Sequence, residues 1–153
     1  MPPSAAFVPE SFEPPLRLVT PELVLEPLGP QHNEADYAAW SSSVEHIRAT
    51  PGFAGRSWPH EMSLADNLRD LELHARDFTA RTGFTYTVLA PAGCEVVGCV
   101  YIDPLPGDGQ GGASVRSWVC ADRAELDGPL RRAVDGWLRS DWPFERVVYA
   151  PGA

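Results

Sequence analysis

The chain has 153 residues, enough for one hydrophobic core of ordinary size and too few for two. Its apolar fraction, 44%, is that of a globular protein, and no stretch approaches the roughly 18 uninterrupted apolar residues of a membrane span. A formal charge of −9 argues against nucleic acid or an anionic membrane as the main partner. The acidity is uneven: from Val115 onward six arginines balance six carboxylates, so a small anionic ligand fits best in that third of the chain. All 12 basic residues are arginine.

The N-terminus, Met1-Pro2-Pro3-Ser4, lacks a basic region followed by an apolar run, so no secretory signal is expected. Cys94, Cys99 and Cys120 are scattered and odd in number, which predicts free thiols in a reducing compartment and hence a cytoplasmic protein. Neither they nor the histidines have metal-site spacing, so no metal is expected.

Residues 1–22 carry six prolines, each fixing φ and removing a donor, which predicts an extended arm rather than a helix or central strand. Phe7, Val8, Phe12 and Leu16 supply apolar pins for it. Residues 23–153 then form a single domain. Leu23-Val24-Leu25-Glu26-Pro27-Leu28 is a short strand stopped by Gly29-Pro30. Tyr37, Trp40, Val44 and Ile47 mark one stripe of a helix over 31–49. An irregular loop over 53–62 holds Trp58, Pro59, His60 and Glu61. Ser63 opens a second helix, with Asp66 placed for a capping box and Leu64, Leu68, Leu71, Ala75 and Phe78 as its buried line. His74 and Asp77, one turn apart, read as a surface hydrogen bond rather than a metal site.

Three strands follow, over 84–88, 95–102 and 114–120. The second is nearly all apolar, as expected for a strand covered on both faces. The glycines of 106–112 neither follow a strand nor open a helix as a phosphate cradle does; they read as a hairpin tip. Leu130, Ala133, Val134, Trp137 and Leu138 mark a third helix, broken at Trp142-Pro143, before a last strand over 145–149. The order β-α-α-β-β-β-α-β predicts an α/β (α+β) fold: a mixed, mainly antiparallel sheet with helices on both faces.

That order, with Ser117-Trp118-Val119, Ala133-Val134-Asp135-Gly136-Trp137-Leu138 and the closing Arg146-Val147-Val148-Tyr149, resembles the GCN5-related N-acetyltransferase (GNAT) family over about residues 16–150. The resemblance implies transfer of an acetyl group from acetyl-CoA to a small-molecule or peptide amine. It places the cofactor between the last two strands, with the pyrophosphate at the start of the helix that joins them, where orphan N–H groups and the helix dipole favour an anion. The matching positions are Trp118, Val119, Cys120 and Ala121, then Arg123, Leu126, Asp127 and Gly128. The family's loop follows (Q/R)xxGx(G/A); here it reads Asp122-Arg123-Ala124-Glu125-Leu126-Asp127-Gly128-Pro129, with one glycine and three carboxylates. Asp127 stands where a helix cap is expected. The family's further helix and strands, the usual source of a tyrosine acid, have no match after Tyr149. These departures carry an alternative: a non-catalytic GNAT-fold protein that binds a small ligand or partner without acetyl-CoA. A third reading has a homodimer partner complete the sheet.

For a base that takes a proton from an amine, the carboxylates singled out are Glu45, Glu61 and Asp103. Their neighbours His46 and His60 are further bases or substrate contacts. Trp58, an aromatic in a loop, is expected to line a substrate cleft together with His60.

Overall fold

A computed structural model describes residues 6–92, 95–105 and 111–150. Cys94 and residues 106–110 of the expected hairpin tip lie outside them. Six strands form one sheet in chain order: β1 (Leu18–Val19), β2 (Val24–Pro27), β3 (Phe84–Leu89), β4 (Val96–Pro104), β5 (Gly112–Val119) and β6 (Arg146–Tyr149). Neighbours are antiparallel except the parallel pair β5–β6. The helices are α1 (Asn33–Ser41), α2 (Val44–Arg48), α3 (Leu64–Ala80) and α4 (Asp127–Asp141). The mixed α/β architecture expected from the sequence is the one observed.

The period of two along each strand divides the core into two layers. One face of β3, β4 and β5 presents Phe84, Tyr86, Val88, Val97, Val100, Ile102, Ala113 and Val115 to α4, whose Leu130, Val134, Trp137 and Leu138 are buried. The other face presents Cys99, Tyr101 and Trp118 to α1, α2 and the head of α3, through Trp40, Ile47, Phe53 and Leu71. Gly98 on β4 is where the two central strands meet most closely: a Cβ there would sit 2.4 Å from the carbonyl oxygen of Trp118. Only glycine fits such an approach.

The proline-rich arm is packed from Phe7 onward. Phe7 and Val8 are buried in the α4 layer, Phe7 stacking on Phe84 and Phe144. Arg81 donates to the carbonyls of Pro9 (2.6 Å) and Phe12 (2.7 Å), and the Tyr86 hydroxyl donates to that of Pro15 (2.6 Å). Leu16, expected to pin the arm, is exposed. Leu18–Val19 adds an edge strand that the proline count did not suggest.

Two helix expectations need correction. The single helix expected over 31–49 is broken at Ser42–Ser43, where Ser43 leaves helical geometry (φ −131°, ψ 22°). Its buried hydroxyl oxygen accepts the Ala121 N–H at 2.9 Å, a tertiary bond invisible in local sequence. On α3 the Ser63–Asp66 capping box forms as expected, but the buried line runs through Asn67 and Leu71, leaving Leu64 exposed. Asn67 is drawn inside because it accepts the Trp40 indole N–H (3.0 Å).

Candidate functional site

β6 pairs along its whole length with the first half of β5, from Gly112 beside Arg146 to Val115 beside Tyr149. The last bond of this seam is the Ala150 N–H to the Val115 carbonyl, 2.8 Å. From Arg116 to Val119, β5 keeps β4 on one side and, among the described residues, has no strand on the other. β6 ends at Tyr149, so the second half of β5 runs on past it toward the first turn of α4. On the α4 face side chains tie the strands together: the Ser117 and Tyr149 hydroxyls share a hydrogen bond of 2.5 Å, and the Arg131 guanidinium lies 4.3 Å from the Tyr149 ring centre. Burial pushes the Tyr149 hydroxyl up to about 12, against the opposing effect of the Ser117 hydrogen bond. Arg131 also donates to the Ala150 carbonyl.

The lead-in to α4 is a 3-10 turn, Ala121–Leu126, rather than an open loop. Several of the amides here are already engaged: Arg123 N–H bonds to the Cys120 carbonyl (2.9 Å), the following Asp127 N–H to that of Ala124, and Ala121 N–H to the Ser43 hydroxyl. The expected Asp127 cap does not form. Leu126 occupies the cap position with no side-chain bond, because the preceding turn already runs into the helix and Asp127 becomes its first residue. Arg123 is engaged with both carboxylate oxygens of Glu95 (2.9 and 3.0 Å). Arg132 instead lies over Gly128, its guanidinium 3.1 Å from where a Cβ would stand, and among the described residues it forms no ion pair.

On the opposite face of the sheet lies a cleft of about 290 Å³. Its apolar walls are Leu28, Trp58, Leu71 and Tyr101. Asp36 of α1, Asn67, Asp70 and His74 of α3, Arg116 of β5 and Arg56 with Ser57 from the loop supply its polar groups. The loop is held over the sheet by Arg48, which donates twice to the Pro59 carbonyl (2.9 and 2.7 Å). Trp58 is wedged among Trp40, Phe53, Tyr101 and Trp118, with ring centres 5.6 to 6.5 Å away.

Asp36 is 4% exposed and accepts a hydrogen bond from the Asn67 amide (3.2 Å). Burial pushes its carboxyl up to about 6, offset in part by that bond. Burial likewise lowers the His74 imidazole, leaving it neutral at pH 7, with Nδ1 3.2 Å from the Thr85 hydroxyl. Arg116 stacks over Tyr101 (4.5 Å) and Phe53 (4.9 Å), and stays cationic although burial lowers its pKa. Tyr101, whose hydroxyl accepts the Trp118 indole N–H (3.0 Å), is held well above its ordinary value by burial.

Of the residues singled out from sequence, Trp58 lines this cleft. Asp103 stands beside it: its charge is felt by His74 and Arg116, and burial raises its carboxyl. Glu45, Glu61 and His60 are exposed and do not line it; His60 Nδ1 lies 2.9 Å from the carbonyl of neighbouring Glu61. Trp118 and Val119 are fully buried at the end of β5. Cys120 is buried as a free thiol, Cys99 likewise, and burial pushes the Cys120 thiol up to about 11. Asp36, Asn67 and Arg116 were missed. The available signal was a polar residue on an otherwise buried stripe: Asp36 one turn before Trp40, Asn67 one turn before Leu71, and Arg116 two residues before Trp118.

No protein-family model matches this chain, and no curated protein sequence matches it. Solved structures do. A ribosomal L7/L12 α-N-protein acetyltransferase, RimL, in complex with coenzyme A superimposes with a TM-score of 0.64 at 13% identity, over 81% of this chain and 68% of that one. A ribosomal-protein-S5-alanine acetyltransferase from Vibrio fischeri gives 0.61 at 11% identity, over 81% and 67%. The microcin C7 self-immunity acetyltransferase MccE, in complex with acetyl-CoA and AMP, gives 0.59 at 13% identity, over 78% and 62%. The chain thus spans about two thirds of the length of these proteins, and its fold is that of the GNAT acetyltransferases.

Proposed function

We propose that this chain is an acetyl-CoA-dependent N-acetyltransferase of the GNAT type, acting on an amine bound in the cleft between α1, α3 and β5. The observation that carries the reading is the half of β5 that, among the described residues, has no strand beside it beyond β6, with a helix N-terminus following it and a polar cleft on the sheet face opposite α4. The free edge of β5 from Arg116 to Val119 offers backbone donors and acceptors to an amide-bearing chain. At the start of α4, Gly128 admits close approach, and Arg132 and the helix dipole favour a phosphate. Bound there, the cofactor supplies an activated acyl thioester.

The remaining steps belong to the chain's own residues. Asp36, ionised above about pH 6, holds the acceptor as an ammonium, and the neutral His74 takes its proton before attack. Asp103 supports the imidazolium that forms, a positioning role for the one base candidate whose charge reaches the cleft. Trp118 and Tyr101 fix the floor beneath the reacting groups through their shared hydrogen bond.

A second reading, a GNAT-fold protein that binds a small ligand without acetyl-CoA, is favoured by one observation. The Ser117–Tyr149 bridge spans the slot in which the thioester arm would lie. Calorimetric titration with acetyl-CoA and with CoA separates the two. Micromolar binding is expected for the enzyme; silence at millimolar ligand overturns it in favour of the second reading.

A further inference from the structure

The ion pairs seen between described residues are Asp66–Arg69, Glu95–Arg123 and Asp135–Arg139, and His32 Nε2 lies 2.8 Å from Glu26. None of the acids Asp36 and Asp70 and the arginines Arg56 and Arg116, which line the cleft, is in any of them. A charge withdrawn from water without a partner is costly, and Asp36 is almost fully buried. Two acids and two arginines therefore share one cleft without neutralising one another.

They also come from different elements. Asp36 and Asp70 stand on α1 and α3, whereas Arg116 stands on β5 and Arg56 in the loop over 53–62, with Asp103 the acid whose charge reaches Arg116. Tyr101 stands between the poles: it feels the Asp36 charge and lies under the Arg116 guanidinium. The planar fork of an arginine suits a carboxylate or a phosphate, and a second arginine beside it reinforces that choice. Asp36 and Asp70, with the Asn67 carbonyl committed to Trp40, offer acceptors only to a cation. At about 290 Å³ the space is at the small end of ligand pockets, the size of one amino-acid-like molecule.

We infer that the ligand of this cleft is a small dipolar molecule. Its ammonium group is held at Asp36 and Asp70, its carboxylate or phosphate at Arg56 and Arg116, and its apolar body against Trp58 and Tyr101. That this ligand is the acetyl acceptor rests on the acyl-transfer reading above; that it binds does not. The charge pattern predicts that an amine lacking the anionic group is a poor ligand, as is an acid lacking the amine.

The test is calorimetric titration of the full chain, without acetyl-CoA, at pH 7.5. The probes are ω-amino carboxylates of graded length and the matching ω-aminoalkyl phosphates, with hexylamine and hexanoate as single-charge controls. At least one two-charge probe is expected to bind ten times more tightly than either control, and the carboxylate and phosphate series identify the anionic group. Arg116→Gln and Arg56→Gln, the latter at an exposed position, should each erase most of that advantage, and Asp36→Asn should bring affinity down to that of hexanoate. Hexylamine binding as tightly as the best two-charge probe, or no two-charge probe binding at millimolar concentration, overturns the inference. Because cofactor is absent, a chain that ignores acetyl-CoA yet binds these probes loses the enzyme reading alone, and the converse loses this one alone.

Discussion

Asp36 is held inside the protein at a cost that depends on pH. Its folded pKa, about 6, is raised from 3.8, so the stability it allows is fully present below pH 3.8 and is lost as pH rises through 6. At about 1.4 kcal/mol per unit this amounts to roughly 3 kcal/mol at pH 8. Asp36→Asn keeps an acceptor for the Asn67 amide and removes the charge, so urea unfolding should find the variant more stable than the parent at pH 8 and equal to it at pH 4. A gain of the same size at both pH values would refute this account. The arginines at the start of α4 differ in the same local way. Arg123 is saturated by Glu95, whereas Arg132 lies over Gly128 without an ion pair among the described residues. Arg132→Ala is therefore expected to weaken acetyl-CoA binding about tenfold, the worth of one charge-assisted hydrogen bond, and Arg123→Ala far less. Calorimetry on the two variants decides between them.

The Ser117–Tyr149 hydrogen bond ties β5, two residues past its last pair, to the last residue of β6. Tyr149→Phe removes the shared hydrogen bond and should lower stability by about 1 kcal/mol. If the bridge must open for the cofactor, the same change should tighten acetyl-CoA binding about fivefold, the factor equivalent to that energy; unchanged affinity would mean that the slot is not the route. Gly98→Ala drives a methyl group into the Trp118 carbonyl and should cost about 1–3 kcal/mol or more by urea unfolding, as overpacking of a tight core does. Elements of this kind were legible where the chain's own periodicity speaks. The Ser63–Asp66 box and the Leu130, Val134, Trp137 and Leu138 stripe mark their helices directly. The break at Ser43 was not legible, because its cause is Ala121, 78 positions away. The closed turn over 121–126 was hidden for the opposite reason: its acids and its lone late glycine spoke of a poor anion cradle, but not of amides already bonded to their own neighbours.

The molecule as a whole is a sheet with two unlike sides. The arm and α4 seal one side with aromatic rings, Phe7 on Phe84 and Phe144 among them. Phe7→Ala should cost about 3–5 kcal/mol in urea unfolding, as truncation of a buried ring does, and so show the arm to be part of the core. The other side keeps its polar groups around a cleft drawn from α1, α3, β5 and a loop. No single segment contains that site. Asp36, His74 and Arg116 meet only after the strands have set their register, which is why the candidates visible in sequence, Glu45, Glu61 and His60, were those beside conspicuous local features. Trp58 was visible because an aromatic ring in a loop is unusual, and its position has an optical consequence. Its indole lies 5.6 Å from that of Trp40 and 6.2 Å from that of Trp118. Transition dipoles at such separations couple, so the far-ultraviolet circular dichroism of this chain should carry an exciton couplet, and any molecule that displaces the Trp58 indole would change its sign or amplitude.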